Sequence, residues 1–178
     1  MRSRTLLLGA LLATAALLAA CSTGPGPLVD RGFGGGGGHE CISFALGQPV
    51  TDGMYVLDNT GTSPVTVTGV NLTSVHGLAM TKAWLVPPYK PPHGALTYVG
   101  VQLYPPVTFH TWTNRQPIPG SVIKPGQGLN LLFGLTRTGP KDGHTNGPAV
   151  TYTASGNTYT LQEHFGFIIV APHSHCPR

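Results

Sequence analysis

The chain has 178 residues, which is enough for one domain. Charged residues make up only 9% of it, against about a quarter in an average globular protein. Its 10 Lys and Arg side chains do not cluster, which excludes a nucleic-acid-binding surface. The 25 glycines and 17 prolines argue against long helices, because these residues cost about 1 and about 3 kcal/mol inside a helix. This composition favours an all-β fold of short strands and turns.

The N-terminus has the three parts of an export signal. Two arginines among the first four residues are followed by an uncharged apolar stretch over 6–18, and Leu-Ala-Ala-Cys at 18–21 closes it. The apolar stretch is shorter than the roughly 20 residues that a membrane-spanning helix needs. The closing tetrapeptide resembles the lipobox of bacterial lipoproteins. This resemblance implies a signal peptide over residues 1–20 and a diacylglycerol on the thiol of Cys21, which becomes the first residue after cleavage.

Residues 21–38 are expected to form a flexible linker behind that anchor. They contain Gly-Pro-Gly-Pro at 24–27 and five consecutive glycines at 34–38. Random-coil scaling gives 17 such residues a mean reach of roughly 20–25 Å. The domain is therefore expected outside the cytoplasm, held by lipid close to the bacterial cell membrane.

Residues 39–178 are predicted to form an antiparallel β-sandwich of about eight strands, which resembles the immunoglobulin-like architecture. The clearest strand covers 129–136, where Leu and Phe on one face alternate with largely small or polar residues on the other. The same alternation predicts a strand over 99–103, and a phase slip at Gly69 predicts a bulge. Ser-Gly-Asn at 155–157 predicts a hairpin turn, and the last strand is expected to run from Tyr159 through 169.

Two cysteines remain besides Cys21. In an exported domain Cys41 and Cys176 predict a disulfide that joins the first strand to the C-terminus. The alternative is a pair of thiols that bind metal.

The histidines are the other group with possible chemistry. His173 and His175 are two residues apart, so in a strand they would point to one face. The predicted disulfide would bring them near His39, and three imidazoles would suit Zn²⁺ or Cu²⁺. The alternative is that both chain ends are polar and solvated, so that no cofactor is bound.

The stretch from Val86 to Gly120 is rich in proline and aromatic residues. Tyr89, Tyr104 and Trp112 could form a surface that recognises an envelope protein or stacks on the sugar rings of a glycan. The alternative is a long connection whose aromatic side chains cover the edge of the core.

The sequence favours a binding domain over an enzyme. Acidic residues are few, and the nucleophile-elbow, zinc-protease and phosphate-loop motifs do not occur. The pair Glu163-His164 interrupts an apolar strand, either as polar groups at a pocket or as a bulge that turns both to solvent. The function expected is a non-catalytic, membrane-anchored lipoprotein that binds an envelope component. The alternatives are a Zn- or Cu-binding lipoprotein and a hydrolase.

Overall fold

A computed structural model describes residues 25–32, 37–90, 92 and 99–177. The predicted signal peptide and the lipidation site Cys21 lie outside these residues.

Thirteen strands and one turn of 3₁₀ helix, at Trp112–Asn114, make up the regular structure of the described residues. Eight strands have six or more residues, and no helix described is long and apolar enough to cross a membrane. The strands are β1 (Leu28–Asp30), β2 (Gly38–Ser43), β3 (Val50–Asn59), β4 (Val65–Leu72), β5 (Leu78–Val86), β6 (Gln102–Leu103), β7 (Gln116–Pro117), β8 (Ser121–Ile123), β9 (Gly128–Arg137), β10 (Gly143–Thr145), β11 (Pro148–Ala154), β12 (Asn157–Gln162) and β13 (Phe165–Val170).

The strands form three sheets around one main core. The first has the order β1-β3-β9-β5-β7, with β6 also paired to β3. The second has the order β12-β11-β4-β8, and the third has the order β10-β13-β2. Every pairing is antiparallel except that of β2 with β13. Buried apolar side chains from all three sheets form the core, so the predicted fold class, an all-β antiparallel sandwich, is confirmed.

Strand β9 lies at the centre of the first sheet, between β3 and β5. Its alternating apolar residues face the main core: Leu129, Leu131, Phe133 and Leu135. Its other face is largely small or polar, as expected, but it is buried as well at Asn130 and Leu132. Leu132 packs with Val86, Val99 and Trp112 in a second, smaller cluster. The connection between β5 and β7 therefore covers the outer face of this sheet.

Two local predictions are confirmed. The register of β4 against β11 shifts beside Gly69, where Thr68 is the extra residue of the bulge. The turn between β11 and β12 places Ser155 at φ 49° and Gly156 at φ 81°. Positive φ at both central residues defines the type I′ turn that suits the twist of a two-residue hairpin.

Two predicted strands differ from the structure. Of residues 99–103 only Gln102–Leu103 pairs with a neighbour, and Gly100 adopts a φ of 64° that interrupts an extended strand. The last strand does not run on from Tyr159. It breaks at Glu163 and His164, because β12 pairs with β11 whereas β13 pairs with β10 and β2 in another sheet.

The prediction of a flexible linker over 21–38 is wrong for residues 28–30, which form β1. This strand pairs antiparallel with the end of β3, with Leu28 opposite Asn59. The side chain of Leu28 is 2% exposed and belongs to the main core. The carbonyl of Pro27 also accepts hydrogen bonds from the backbone N–H and the hydroxyl of Thr60. Residues 28–30 therefore form a strand although their surroundings have the composition of a flexible linker. Burial of Leu28 and pairing with the edge of β3 stabilise it.

The predicted disulfide is present. Cys41 on β2 is bonded to Cys176 across a sequence separation of 135 residues. Cys41 lies opposite Ile168 of β13, so the bond ties the residues after β13 back to the parallel pair β2–β13. A crosslink that closes so long a loop contributes about 4–5 kcal/mol in the chain-entropy model.

The role of Leu28 gives a test of the ordered linker. Leu28→Ala is expected to lower the free energy of unfolding by about 2–5 kcal/mol, because the change leaves a cavity in the core. Leu46, which is 55% exposed, provides the control; Leu46→Ala should change stability by less than about 0.5 kcal/mol. Chemical denaturation measures both values. Equal stability of the two variants would contradict the inclusion of β1 in the core.

Candidate functional site

A surface pocket of about 440 Å³ lies beside β1. One wall comes from the 25–30 segment, the other from residues 160–164, and Tyr152 lies between them. Its volume falls within the roughly 300–1,000 Å³ of small-molecule sites. The pocket exists because β1 is fixed to the edge of β3 while the chain leaves the second sheet at the end of β12. We refer to it as the β1 pocket.

Asp30 is positioned by the backbone around it. Its Oδ1 atom accepts hydrogen bonds from the N–H groups of Gly32 at 2.8 Å and Val56 at 2.7 Å. These bonds tie the end of β1 to β3. They also fix the carboxyl group in the wall of the β1 pocket, where it is hydrogen-bonded to the side chain of Glu163.

Glu163 is the most unusual group in the pocket. Its side chain is 4% exposed, and among the described residues its Oε1 atom has no hydrogen-bond partner. Burial, then the charge of Asp30 and the hydrogen bond to it, raise the pKa of Glu163 from 4.5 to about 8. Glu163 is therefore protonated at neutral pH.

A second buried acid shares a neighbour, Tyr55, with this pair. Asp52 of β3 is fully buried, and burial raises its pKa from 3.8 to about 7. It accepts hydrogen bonds from the backbone of Met54 at 3.3 Å and from the hydroxyl of Tyr55 at 3.4 Å. The Tyr55 hydroxyl also donates to the carbonyl of Phe165 at 2.8 Å. Burial, followed by the negative charges of Asp52, Glu163 and Asp30, raises the pKa of Tyr55.

The two polar residues at 163–164 thus differ in burial, since Glu163 is buried and His164 is exposed. The expectation that a bulge turns both side chains to solvent is correct for His164, which is exposed, and wrong for Glu163. The change of sheet between β12 and β13 explains the difference, because it turns the chain at these two residues. The interpretation as polar groups at a pocket describes Glu163 better, and His164 lines the same pocket.

The predicted histidine site does not form. Across the ranges that the structure describes, no three His, Cys, Asp or Glu side chains are grouped so that they could hold a metal ion. His39, His173 and His175 are all exposed. His173 and His175 were expected to point to one face of a strand, but residues 171–177 do not form one. The N–H of Ser174 instead donates to the carbonyl of Ala171 in a turn.

The three aromatic residues proposed for partner recognition differ in exposure. Trp112 is 8% exposed and belongs to the second cluster, so for this residue the structure supports the alternative, an aromatic side chain that covers the core. Tyr104 and Tyr89 are half-buried. The hydroxyl of Tyr104 accepts a hydrogen bond from Trp84 Nε1 at 3.0 Å, and the ring of Tyr89 stacks on His110 at 4.3 Å. Recognition of a partner by these two residues stays a prediction.

Sequence reasoning missed Asp30 as a site residue. Its position in a segment with the composition of a linker hides it. A signal is present, since two adjacent apolar residues, Leu-Val at 28–29, precede it between the two glycine-rich stretches. Its pairing with Glu163, 133 positions later in the chain, has no sequence signature.

Comparisons with known proteins find a similar fold among solved structures. No model of a known protein family matches this chain, and no curated protein matches it either. Among solved structures, the ASH / PapD-like domain of human CEP192 (PapD-like domain 7) is similar, with a TM-score of 0.39 and 11% sequence identity. The match covers 93% of this chain and 100% of that domain.

The raised carboxyl pKa values predict how stability depends on pH. Glu163 and Asp52 are protonated in the folded chain and ionised in the unfolded chain between their ordinary pKa values, 4.5 and 3.8, and the raised values of about 8 and about 7. Unfolding therefore releases protons, and stability should fall as pH rises from about 5 to about 8 and then level off.

Glu163→Gln tests this dependence, because the amide cannot ionise. The variant is expected to reduce the slope of stability against pH by up to about 1.4 kcal/mol per pH unit over this range. Urea denaturation between pH 5 and 9 measures the slope. Asp142→Asn, which alters an exposed acid outside the pocket, is the control and should leave the slope unchanged. A slope in Glu163→Gln equal to that of the parent protein would contradict the assignment.

Proposed function

We propose that this chain is an exported, lipid-anchored protein whose β-sandwich binds a component of the bacterial cell envelope in the β1 pocket. Binding takes place without chemical conversion of the ligand. The ligand is a glycan, part of an envelope protein or another envelope molecule, and the membrane is reached through the lipid on Cys21. The observation that carries the proposal is the β1 pocket itself, with a buried acceptor, Glu163 Oε1, that has no hydrogen-bond partner in the part of the chain that the structure describes.

The extracytoplasmic location is supported by the disulfide. Cys41 and Cys176 are bonded to each other, and structural disulfides persist in oxidising compartments but are rare in the cytosol. The lipobox resemblance at 18–21 supports the same location independently. Pairing of the other two cysteines also leaves Cys21 as the one thiol available for lipid.

The geometry of the carboxyl pair supports binding rather than glycoside hydrolysis. Glycosidases place their two carboxyl groups about 5–5.5 Å or about 6.5–9.5 Å apart, which leaves room for the sugar or for water. Asp30 and Glu163 are hydrogen-bonded to each other and therefore lie closer than either separation. Asp30 Oδ1 is also occupied by two backbone N–H groups, which suits a positioning role.

The lipid anchor is tested at Cys21. The N-terminal peptide of protein purified from the membrane is expected to begin at Cys21 and to carry the mass of a diacylglycerol. Cys21→Ala should leave an uncleaved precursor without lipid, because lipoprotein processing requires the cysteine thiol. The double variant Cys41→Ser, Cys176→Ser is the control and should keep the lipid. A mature chain that starts elsewhere, or has a free thiol at Cys21, would refute the anchor.

The binding role is tested by filling the pocket. Thr160 is exposed and lines the β1 pocket, so Thr160→Trp should block it while leaving the core intact. Saturation-transfer NMR of the purified full-length protein with a low-molecular-mass extract of the host envelope is expected to show bound signals that Thr160→Trp removes. Val122→Trp, at the one exposed position of β8 and outside the pocket lining, should keep them. Signals that are absent, or identical in both variants, would count against a ligand in this pocket.

A further inference from the structure

The acidic residues of this chain are distributed unevenly. All six of them lie within residues 30–58 or 142–163, so the stretch 59–141 contains no Asp or Glu. The same stretch contains six of the ten Lys and Arg residues. None of these six is ion-paired in the described part of the chain. Surfaces built from this stretch therefore carry positive charge that no acid of the protein neutralises.

The connection from β6 to β7 crosses the outer face of the first sheet. β6 pairs with β3 on one side of the sheet, and β7 pairs with β5 on the other. Between them the ring of Tyr104 lies over β9, since a Cβ on Gly134 would come within 2.8 Å of it. The Tyr104 hydroxyl accepts a hydrogen bond from Trp84 Nε1 of β5 at 3.0 Å. We refer to residues 103–115 together with Trp84 as the outer layer.

Arg115 is a cation that the outer layer holds in place. The centre of its guanidinium lies 5.1 Å from the ring centroid of Trp84 and 4.7 Å from that of Trp112. Its Nη1 atom donates to the carbonyl of Trp112 at 3.2 Å, and its side chain is exposed. A guanidinium has five N–H donors in a planar group whose geometry matches phosphate oxygens. Arg115 is thus a positioned donor for an anion that comes from outside the protein.

Exposed apolar side chains belong to the same layer. Leu103 is 57% exposed and Val107 is 66% exposed, and the rings of Tyr104 and Phe109 are half-buried. At a membrane interface, apolar side chains enter the acyl boundary, aromatic rings lie among the headgroups, and Arg or Lys remains near the phosphates. The outer layer combines these three kinds of side chain and has no acid that anionic lipids would repel.

The outer layer and the proposed anchor lie at opposite ends of one strand. Leu28 pairs with Asn59 at the end of β3, whereas Leu103 pairs with Val50 at its start. The two points are about 30 Å apart, from the rise of a β-strand. Asp58, the acid beside the anchored end, is ion-paired with Arg31 at 2.8 Å. Both ends therefore reach a bilayer when the first sheet lies flat along it.

We infer that the outer layer docks on the surface of an anionic phospholipid membrane, with the first sheet parallel to the bilayer. Leu103 and Val107 enter the apolar boundary, and Arg115 binds lipid phosphate. The inference goes beyond the β1 pocket and rests on the proposed function only for the lipid anchor, which keeps the domain close to the membrane.

Tryptophan fluorescence tests this docking directly. The chain has only two tryptophans, Trp84 and Trp112, and both contact Arg115. The protein purified from the membrane is reconstituted in vesicles of phosphatidylcholine with brominated acyl chains, which quench indoles at the bilayer, with and without phosphatidylglycerol. Emission is divided by that in unbrominated vesicles, so only contact with lipid changes the ratio. Phosphatidylglycerol is expected to increase the quenching, and high salt should reverse the increase because it screens the charges.

Two pairs of variants separate the charged and apolar contributions. Arg115→Gln should lower the ratio of docked to undocked protein about fivefold, which is the effect of one cation near an anionic membrane. Lys141→Gln, an exposed cation outside the outer layer, is its control and should leave the ratio unchanged. Val107→Asp should abolish the quenching that depends on phosphatidylglycerol. Leu46→Asp, at a position that is 55% exposed, should keep it.

Two results would overturn the inference. One is quenching in the parent protein that is equal with and without phosphatidylglycerol, a comparison that needs no substitution. The other is emission that responds to heparin, an anionic polysaccharide, and not to phosphatidylglycerol, which would assign the outer layer to a glycan. A chain found without lipid, mixed with the same vesicles, should still show quenching that depends on phosphatidylglycerol. Failure of the anchor and failure of the docking are therefore distinguishable.

Discussion

The hydrogen bonds that join β1 to the end of β3 determine where the acidic residues of this protein meet. They bring a segment that follows the proposed anchor onto the sandwich, with Leu28 in the main core and Asp30 at the surface above it. Two backbone N–H groups then hold the Asp30 carboxyl opposite Glu163. Without this pairing the β1 pocket would lose one wall, and Glu163 would lie open to water as an ordinary carboxylate.

Desolvation then gives the site its chemical character. A carboxyl group that loses water and gains a negative neighbour keeps its proton, because the charged form is destabilised twice. This holds for Glu163 beside Asp30 and, in a more deeply buried setting, for Asp52, whose negative neighbour is Glu40. In both places the raised pKa of a buried acid reduces the stability of the fold at high pH.

The change of sheet between β12 and β13 links the fold to the pocket. One hairpin partner, β11, keeps β12 in the second sheet, while β10 and β2 hold β13 in the third. The chain must turn between them, and this turn places Glu163 inward and His164 outward. The disulfide secures the same region from the other side, because Cys41 lies on β2 next to β13. The turn that carries Glu163 therefore lies between β12 and β13, which are held in place by sheet pairing and, on the side of β13, by the disulfide next to it.

Local patterns in the sequence determined the central strand, one bulge, one hairpin turn and the disulfide of this protein. Alternating Leu and Phe in β9, the bulge at Gly69 and the hairpin at Ser155-Gly156 depend on near neighbours, so they could be predicted. The disulfide could also be predicted, since only two cysteines were available. Tertiary structure alone decided that Leu28 joins the core, that Trp112 is buried and that Asp30 meets Glu163. These outcomes depend on which sheet edge is free to pair and on which residues distant in the chain come into contact. Neither can be predicted from hydrophobic periodicity or composition, because both describe only neighbouring residues.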